Sequence, residues 1–152
     1  MMDAEHYYDV NLEWIADRKG NLSAPEISQE FEVATPPEFT GGMPDIWSPE
    51  HLFVASVSSC LMTTFLAISE YSKLEYLELK VKATGKLEKV DGKFMMSKVT
   101  LNPVLTIADE SKRAKAERIL HKSEAACLIT NSVKSEVVMN PEIIIKDEEL
   151  VS

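Results

Sequence analysis

The two cysteines are the residues of this 152-residue chain that are best suited to covalent chemistry. Cys60 lies near the middle of the apolar stretch SPEHLFVASVSSCLMTTFLAIS, residues 48–69, and Cys127 follows much later. A disulfide between them requires a fold that brings their Cα atoms to about 4.4–6.8 Å. Simple packing is the alternative interpretation, because free cysteine is among the most frequently buried residue types.

No other group of residues has the spacing of a metal or cofactor site. The chain has no CxxC motif, and its three histidines, His6, His51 and His121, are scattered without a metal-binding spacing. We therefore expect neither a metal nor a cofactor.

Composition limits the classes of partner. A net charge of −9 argues against nucleic acid and against an anionic membrane surface, since both require clustered Lys and Arg. We find no convincing transmembrane helix and no signal peptide, so we expect a cytoplasmic protein with reduced cysteines. The length favours a single domain over residues 1–152.

The elements before Cys60 are predicted as a hairpin, a loop and a helix. Residues 6–16 and 22–34 alternate as strands do, with a turn at 17–21 that has Gly20 at its tip. Residues 35–47 are rich in proline and glycine and predict a long loop, which is usually functional. Ser48 is a good N-cap for a helix to about Tyr71. This helix is apolar on most of its surface and should be buried.

The elements after Cys60 predict a second hairpin, a second helix and a final strand. Residues 75–90 and 93–108 alternate around Asp91-Gly92, a strong hairpin signal, and Pro103 favours an edge strand or a bulge. The second helix should bury Ala116, Ile119, Leu120 and Ala126, and Cys127 lies at its end. The last strand covers 135–146. The fold class is therefore α+β, with antiparallel sheets packed on a buried central helix. One sheet cannot cover such a helix, which indicates a dimer.

Two motifs give this chain a family resemblance. Ser48-Pro49-Glu50-His51-Leu52-Phe53 follows a glycine-rich loop and precedes Cys60, which lies ten positions after the glutamate. Cys127-Leu128-Ile129-Thr130-Asn131 is similar to a C-P-x-S-N motif, with Leu128 at the proline position. Both motifs resemble those of the OsmC/Ohr-like family of osmotically inducible and organic hydroperoxide resistance proteins. Arg18-Lys19-Gly20 also resembles the first hairpin turn of its hydroperoxide-specific branch.

The resemblance implies a thiol peroxidase. Cys60 would be the peroxidatic thiol, Cys127 the resolving thiol, and Arg18 with Glu50 the pair that activates Cys60. It also implies an intertwined homodimer and an external dithiol reductant, for example of the lipoyl type. The apolar residues near the site would favour alkyl or lipid-like hydroperoxides: Phe39, Met43, Ile46 and Phe53.

Activation is required because a thiol with a pKa of about 8.5 is only about 3% thiolate at pH 7. A neighbouring guanidinium lowers such a pKa and stays charged when it is partly buried. The alternatives are an ordinary exposed hairpin for Arg18 and a helix-dipole partner for Glu50. At the level of function, the alternative is a non-catalytic module that binds a small lipophilic ligand. A cysteine hydrolase is a third possibility, and it would need His51 or His121 close to Cys60.

Overall fold

The computed structural model describes residues 5–147 and separates into two compact units, Met1–Leu52 and Phe53–Ser152. A single domain over 1–152 stays a prediction, and its first four and last five residues lie outside the described part. Each unit is described by itself below. The α+β class is confirmed by the helices and strands that these units contain.

The first unit contains a three-stranded antiparallel meander of β1 (Asn11–Ala16), β2 (Lys19–Ala24) and β3 (Ile27–Ala34). The prediction of two strands here is wrong. Pro25 and Glu26 form a turn within the predicted second strand, and residues 6–10 are not part of β1. Gly20 is likewise not at a turn tip, because it lies in β2 opposite Trp14.

The long loop between β3 and the first helix is held together by its own backbone. Phe39 N–H donates to the carbonyl of Pro36 at 3.1 Å, and Met43 N–H donates to that of Thr35 at 2.9 Å. Near its end, Trp47 forms a parallel bridge with Val33 of β3. The loop predicted from its prolines and glycines is therefore present and ordered.

The helix α1 (Pro49–Ser72) begins and ends close to the predicted positions. Ser48 caps it, because its hydroxyl accepts a hydrogen bond from His51 N–H at 3.2 Å. By length and composition alone, α1 is apolar enough to cross a membrane, as a core helix of a globular protein also can be. Its buried residues are Val57, Cys60, Leu61, Phe65 and Ser69. Met62 and Leu66 are exposed, so the prediction that most of its surface is buried is wrong for one chain.

The second unit contains a mixed sheet of β4 (Glu78–Val90), β5 (Lys93–Ile107), β6 (Glu136–Met139) and β7 (Glu142–Ile145). β4 and β5 form the predicted hairpin around Asp91-Gly92, and Gly92 has a φ of 80° that suits such a turn. The prediction of a single final strand is wrong, because Asn140 and Pro141 divide this segment into β6 and β7. β6 and β7 both run parallel to β5, so the expectation of purely antiparallel pairing is also wrong.

Pro103 lies in a central strand, although an edge strand or a bulge was predicted. It pairs with Val81 of β4 on one side of β5. On the other side, β6 pairs with β5 up to Leu101 and β7 begins pairing at Val104. Pro103 therefore occupies the gap between two short partner strands, where the missing N–H of proline interrupts no ladder.

The second helix, α2 (Arg113–Ala126), follows a 3-10 helix at Glu110–Lys112, which Asp109 caps. A further 3-10 helix spans Thr130–Ser132. The buried face of α2 is largely as predicted, except that Ser123 is buried and Ala126 is exposed. Side chains from both helices and from β5 form the two core clusters: Phe65, Leu74, Leu105, Ile107, Ala116, Ile119 and Leu120 in one, and Val57, Leu61, Val99 and Leu101 in the other.

Candidate active site

Cys60 lies on the buried stripe of α1, next to Leu61 and one turn after Val57. This spacing places it on the face that packs against β5, because residues three and four positions apart share one side of a helix. The residue retains 8% exposure, whereas Val57 and Leu61 retain at most 1%. Cys60 is therefore close to the core and still has a small accessible surface.

Cys127 is the residue that ends α2. Its backbone is extended, with φ −64° and ψ 114°, and its N–H donates to the carbonyl of Glu124 at 3.3 Å. The chain then reverses, and Asn131 N–H donates to the carbonyl of Cys127 at 3.1 Å. Because Cys127 is only 1% exposed, the turn holds its thiol in the interior.

The fold brings the two cysteines together. Both are free thiols, and each shifts the pKa of the other, so the two side chains interact. The contact joins the middle of α1 to the end of α2 within the second unit. The sequence alone did not decide whether the two cysteines lie near each other. In the structure their side chains interact.

The surroundings of Cys60 favour its thiolate. Burial raises the pKa of Cys60, but hydrogen bonding to four groups lowers it: the Cys127 side chain, the Ile129 backbone, the Thr64 side chain and the Leu128 backbone. The hydrogen bonds outweigh burial, so the pKa of Cys60 lies below its ordinary value. Since thiolates are the reactive form of cysteine, Cys60 is the better nucleophile of the two.

Cys127 is shifted in the opposite direction. Burial raises its pKa most, and its hydrogen bond with Cys60 raises it further, while contacts with Thr130 lower it by less. Cys127 therefore keeps its proton at a pH at which Cys60 has begun to lose its own. Of the two thiols, Cys60 is therefore the one that ionises more readily.

Arg18 lies in the two-residue turn between β1 and β2 and is exposed. Its carbonyl accepts a hydrogen bond from Thr35 N–H at 3.2 Å. Its guanidinium lies against Gly41 of the long loop, where a Cβ would be only 3.2 Å from Arg18 Nε. Gly41, whose φ is 82°, therefore makes room for the arginine. Within residues 5–147, no salt bridge involves Arg18.

Glu50 lies in the first turn of α1, at the positive end of the helix dipole. Its Oε1 is buried and has no hydrogen-bond partner among the described residues. The expected pairing of Glu50 with Arg18 is absent from the described chain, where the first unit's salt bridge joins Lys19 and Glu32. Next to Glu50, the ring Nδ1 of His51 lies 2.7 Å from the Ser48 hydroxyl.

The four predicted substrate-binding residues lie in two places. Phe39, Met43 and Ile46 belong to the long loop of the first unit, and Ile46 lines a groove of about 430 Å³ there. The other residues that line this groove are Pro37, Pro44, Asp45, Trp47 and His51. Phe53 instead packs against the Val57–Leu61 core cluster of the second unit.

Sequence reasoning missed the partners of Cys60 other than Cys127. Thr64 is four positions after Cys60, a spacing that places two side chains next to each other on a helix. That signal was available and could have been used. The backbone groups of Leu128 and Ile129 have no such signal, because their positions depend on how the chain turns after α2. In the described part of the chain, no cluster of three His, Cys, Asp or Glu residues could hold a metal ion.

Comparison with known proteins identifies the family. YmaD of Bacillus subtilis is 20% identical over 94% of this chain and 97% of its own length. An OsmC-like protein of Vibrio cholerae, VCA0330, superimposes with a TM-score of 0.80 at 23% identity and covers 90% of this chain and 99% of its own. An organic hydroperoxide resistance protein from Legionella pneumophila gives a TM-score of 0.73 at 18% identity, covering 94% and 100% of the two chains. These likenesses show the shared fold. The family model of the OsmC-like proteins matches residues 42–142, more than half of the chain and including both cysteines, and the chain therefore belongs to the OsmC-like family.

Proposed function

We propose that this protein is a thiol peroxidase that reduces organic hydroperoxides to alcohols through Cys60. The contact between the Cys60 and Cys127 thiols is the observation that carries the proposal. The OsmC-like family includes proteins named for hydroperoxide resistance, which makes peroxide chemistry the natural use of such a pair. The proposed setting is the cytoplasm, where both thiols are kept reduced between turnovers.

The first step consumes the peroxide. The Cys60 thiolate attacks the terminal oxygen of ROOH, the O–O bond breaks, and the leaving alkoxide takes up a proton to become ROH. Cys60 is then a sulfenic acid, which is two electrons more oxidised than the thiol. A thiolate that is already stabilised by hydrogen bonds makes this attack possible near neutral pH.

The second step closes the disulfide. The sulfur of Cys127 attacks the sulfenic sulfur of Cys60, an S–S bond forms, and the hydroxyl leaves as water with the proton of Cys127. An external dithiol, for example of the lipoyl type, then reduces the disulfide and is itself oxidised to a disulfide. The interaction between the two thiols supports this route, because the resolving sulfur already lies near Cys60.

Arg18 and Glu50 are proposed to assist Cys60 in a homodimer. The helix α1 runs without interruption from Pro49 to Ser72, so Glu50 and Cys60 of one chain are separated by about 15 Å along its axis. We therefore assign Glu50 to the site of Cys60 of the partner subunit. The buried, unpartnered Oε1 of Glu50 supports an arrangement in which its hydrogen-bond donor comes from another chain.

The apolar loop residues are proposed to select the hydroperoxide. Phe39, Met43 and Ile46 are apolar, and the groove that includes Ile46 is lined mainly by apolar side chains. Such a surface favours alkyl or lipid-like hydroperoxides over hydrogen peroxide, because burying the alkyl chain is favourable. Phe53 is proposed to act with them, in addition to its contact with the core.

Stopped-flow reduction of cumene hydroperoxide by the pre-reduced protein tests the proposal. The wild type should consume one equivalent per subunit rapidly, and Cys60→Ser should consume none at that rate. Cys127→Ser should consume the first equivalent and then proceed to a sulfinic acid, because no second thiol protects Cys60. If the wild type is no faster than Cys60→Ser, the peroxidase proposal is wrong and the ligand-binding alternative is favoured.

A further inference from the structure

The side chain of Thr64 lies next to Cys60, one turn further along α1. Thr64 Oγ1 and Cys60 Sγ are 3.9 Å apart, within the range for a hydrogen bond to sulfur. The carbonyl of Cys60 is already used by a different hydroxyl, that of Thr63, at 3.2 Å. Thr64 is therefore positioned to donate to the sulfur itself when Cys60 loses its proton.

Two backbone groups approach Cys60 from the turn after α2. Hydrogen bonding to the backbones of Leu128 and Ile129 lowers the pKa of Cys60. The turn that presents them is closed by two other bonds, from Asn131 N–H to Cys127 and from Ser132 N–H to Ile129, at 3.1 and 2.9 Å. These backbone groups are thus held by the turn itself.

We propose that the Thr64 hydroxyl donates a hydrogen bond to the Cys60 thiolate and stabilises it for reaction. The inference rests on the proposed function, because it takes Cys60 as the reacting thiol. Thr64 lies in the same unit as Cys60, so this part of its activation comes from one unit of one chain. The titratable group in contact with Cys60 is Cys127, which donates to it as well.

The Thr64 assignment is tested in a Cys127→Ser background, which leaves Cys60 as the single thiol. Thr64→Val removes the hydroxyl and keeps the branched shape, whereas Thr64→Ser keeps the hydroxyl. Thiolate absorbance in the ultraviolet is followed against pH. The Val variant should titrate at a higher pH than the Ser variant, and its alkylation by iodoacetamide at pH 7 should be about threefold to tenfold slower. Coincident titrations of the two variants would overturn the assignment of Thr64.

The outcome is distinguishable from failure of the proposed function, because neither titration uses a peroxide. If the midpoints shift as expected while cumene hydroperoxide is not reduced, the hydrogen bond from Thr64 to Cys60 is established and the peroxidase proposal is wrong. If hydroperoxide is reduced and the midpoints do not shift, the activation comes from other groups and this inference is wrong.

Discussion

The interaction between the two cysteines shifts their pKa values in opposite directions. Burial disfavours the thiolate at both positions, but Cys60 receives hydrogen bonds and Cys127 donates one. In the proposed mechanism, this difference in pKa divides the roles before any substrate arrives. Cys60, which ionises more readily, would attack the peroxide, and Cys127, which keeps its proton, would resolve the sulfenic acid and supply a proton.

This division predicts how the two thiols titrate. Because the pKa of Cys60 is lowered and that of Cys127 is raised, alkylation of Cys127→Ser should follow a midpoint at lower pH than alkylation of Cys60→Ser. The thiolate fraction of Cys60 increases with pH, so its rate should decrease as the pH falls through the lowered pKa. Iodoacetamide alkylation quantified by mass spectrometry measures both curves. A reversed order of midpoints would contradict the assigned roles.

The proposed role of Arg18 predicts a loss of activity on substitution. Arg18→Ala should raise the pKa of Cys60 and slow its reaction with cumene hydroperoxide at pH 7 about tenfold or more, because a positive charge near the thiolate is lost. Lys19→Ala, which removes the next cationic side chain, is the matched control and should be nearly neutral. An unchanged pH–rate profile in Arg18→Ala would show that Arg18 does not activate Cys60 and is an ordinary exposed turn residue.

The residues of the site differ in how far the sequence could predict them. Cys60, Cys127 and Glu50 follow from motifs, and the structure shows the first two in contact. Thr64 could have been predicted from its four-residue spacing to Cys60 on the helix. The backbone groups of Leu128 and Ile129 could not, because the direction of the chain after α2 depends on the dihedral angles of one residue, Cys127. Sequence motifs identify side chains, whereas two of the groups that influence Cys60 belong to the backbone.

Among the elements, those with strong local signals were predicted well. Ser48-Pro49-Glu50 sets the start of α1, and Asp91-Gly92 sets the turn between β4 and β5. The errors in strand number occur where a two-residue break divides a predicted strand. Pro25-Glu26 separates β2 from β3, and Asn140-Pro141 separates β6 from β7. The parallel pairing of β6 and β7 with β5 is a long-range contact that no local pattern encodes.

The packing of α1 on the sheet predicts the cost of trimming its buried stripe. Leu61 is 1% exposed and contacts the cluster formed with Val57, Val99 and Leu101. Leu61→Ala should lower the free energy of unfolding by about 2–5 kcal/mol, because it leaves a cavity. Leu128→Ala makes the same chemical change at a 66% exposed position and should alter it by about 0.5 kcal/mol or less. If urea denaturation gave equal decreases in the free energy of unfolding for both variants, the packing of Leu61 in this cluster would be contradicted.

Large hydrophobic side chains of the described residues are exposed in the first unit and along α1: Tyr7, Tyr8, Val10, Leu12, Trp14, Ile15, Ile27, Phe31, Trp47, Met62, Leu66 and Tyr71. Exposed apolar patches are typical of interaction sites. This exposure supports the proposed homodimer, in which a second copy covers these residues and brings Glu50 to the opposite site.

Subunit exchange tests the shared site. Cys60→Ser and Glu50→Ala homodimers should both be impaired, and mixing them under exchange should restore activity. The heterodimer then combines the Glu50 of one chain with Cys60 of the partner subunit, and a two-fold axis makes one intact site of this kind. Stopped-flow rates before and after exchange measure the recovery. Given an impaired Glu50→Ala homodimer and verified exchange, no recovery would contradict the cross-subunit site.

In the proposed mechanism, Cys60 takes the oxygen of a hydroperoxide and Cys127 of the same chain resolves the sulfenic acid. Mass spectrometry of the reduced protein after one equivalent of cumene hydroperoxide detects the product of these two steps. We predict an intramolecular Cys60–Cys127 disulfide and no link between chains. If Cys60 is still unmodified after excess hydroperoxide, the peroxidase mechanism is wrong.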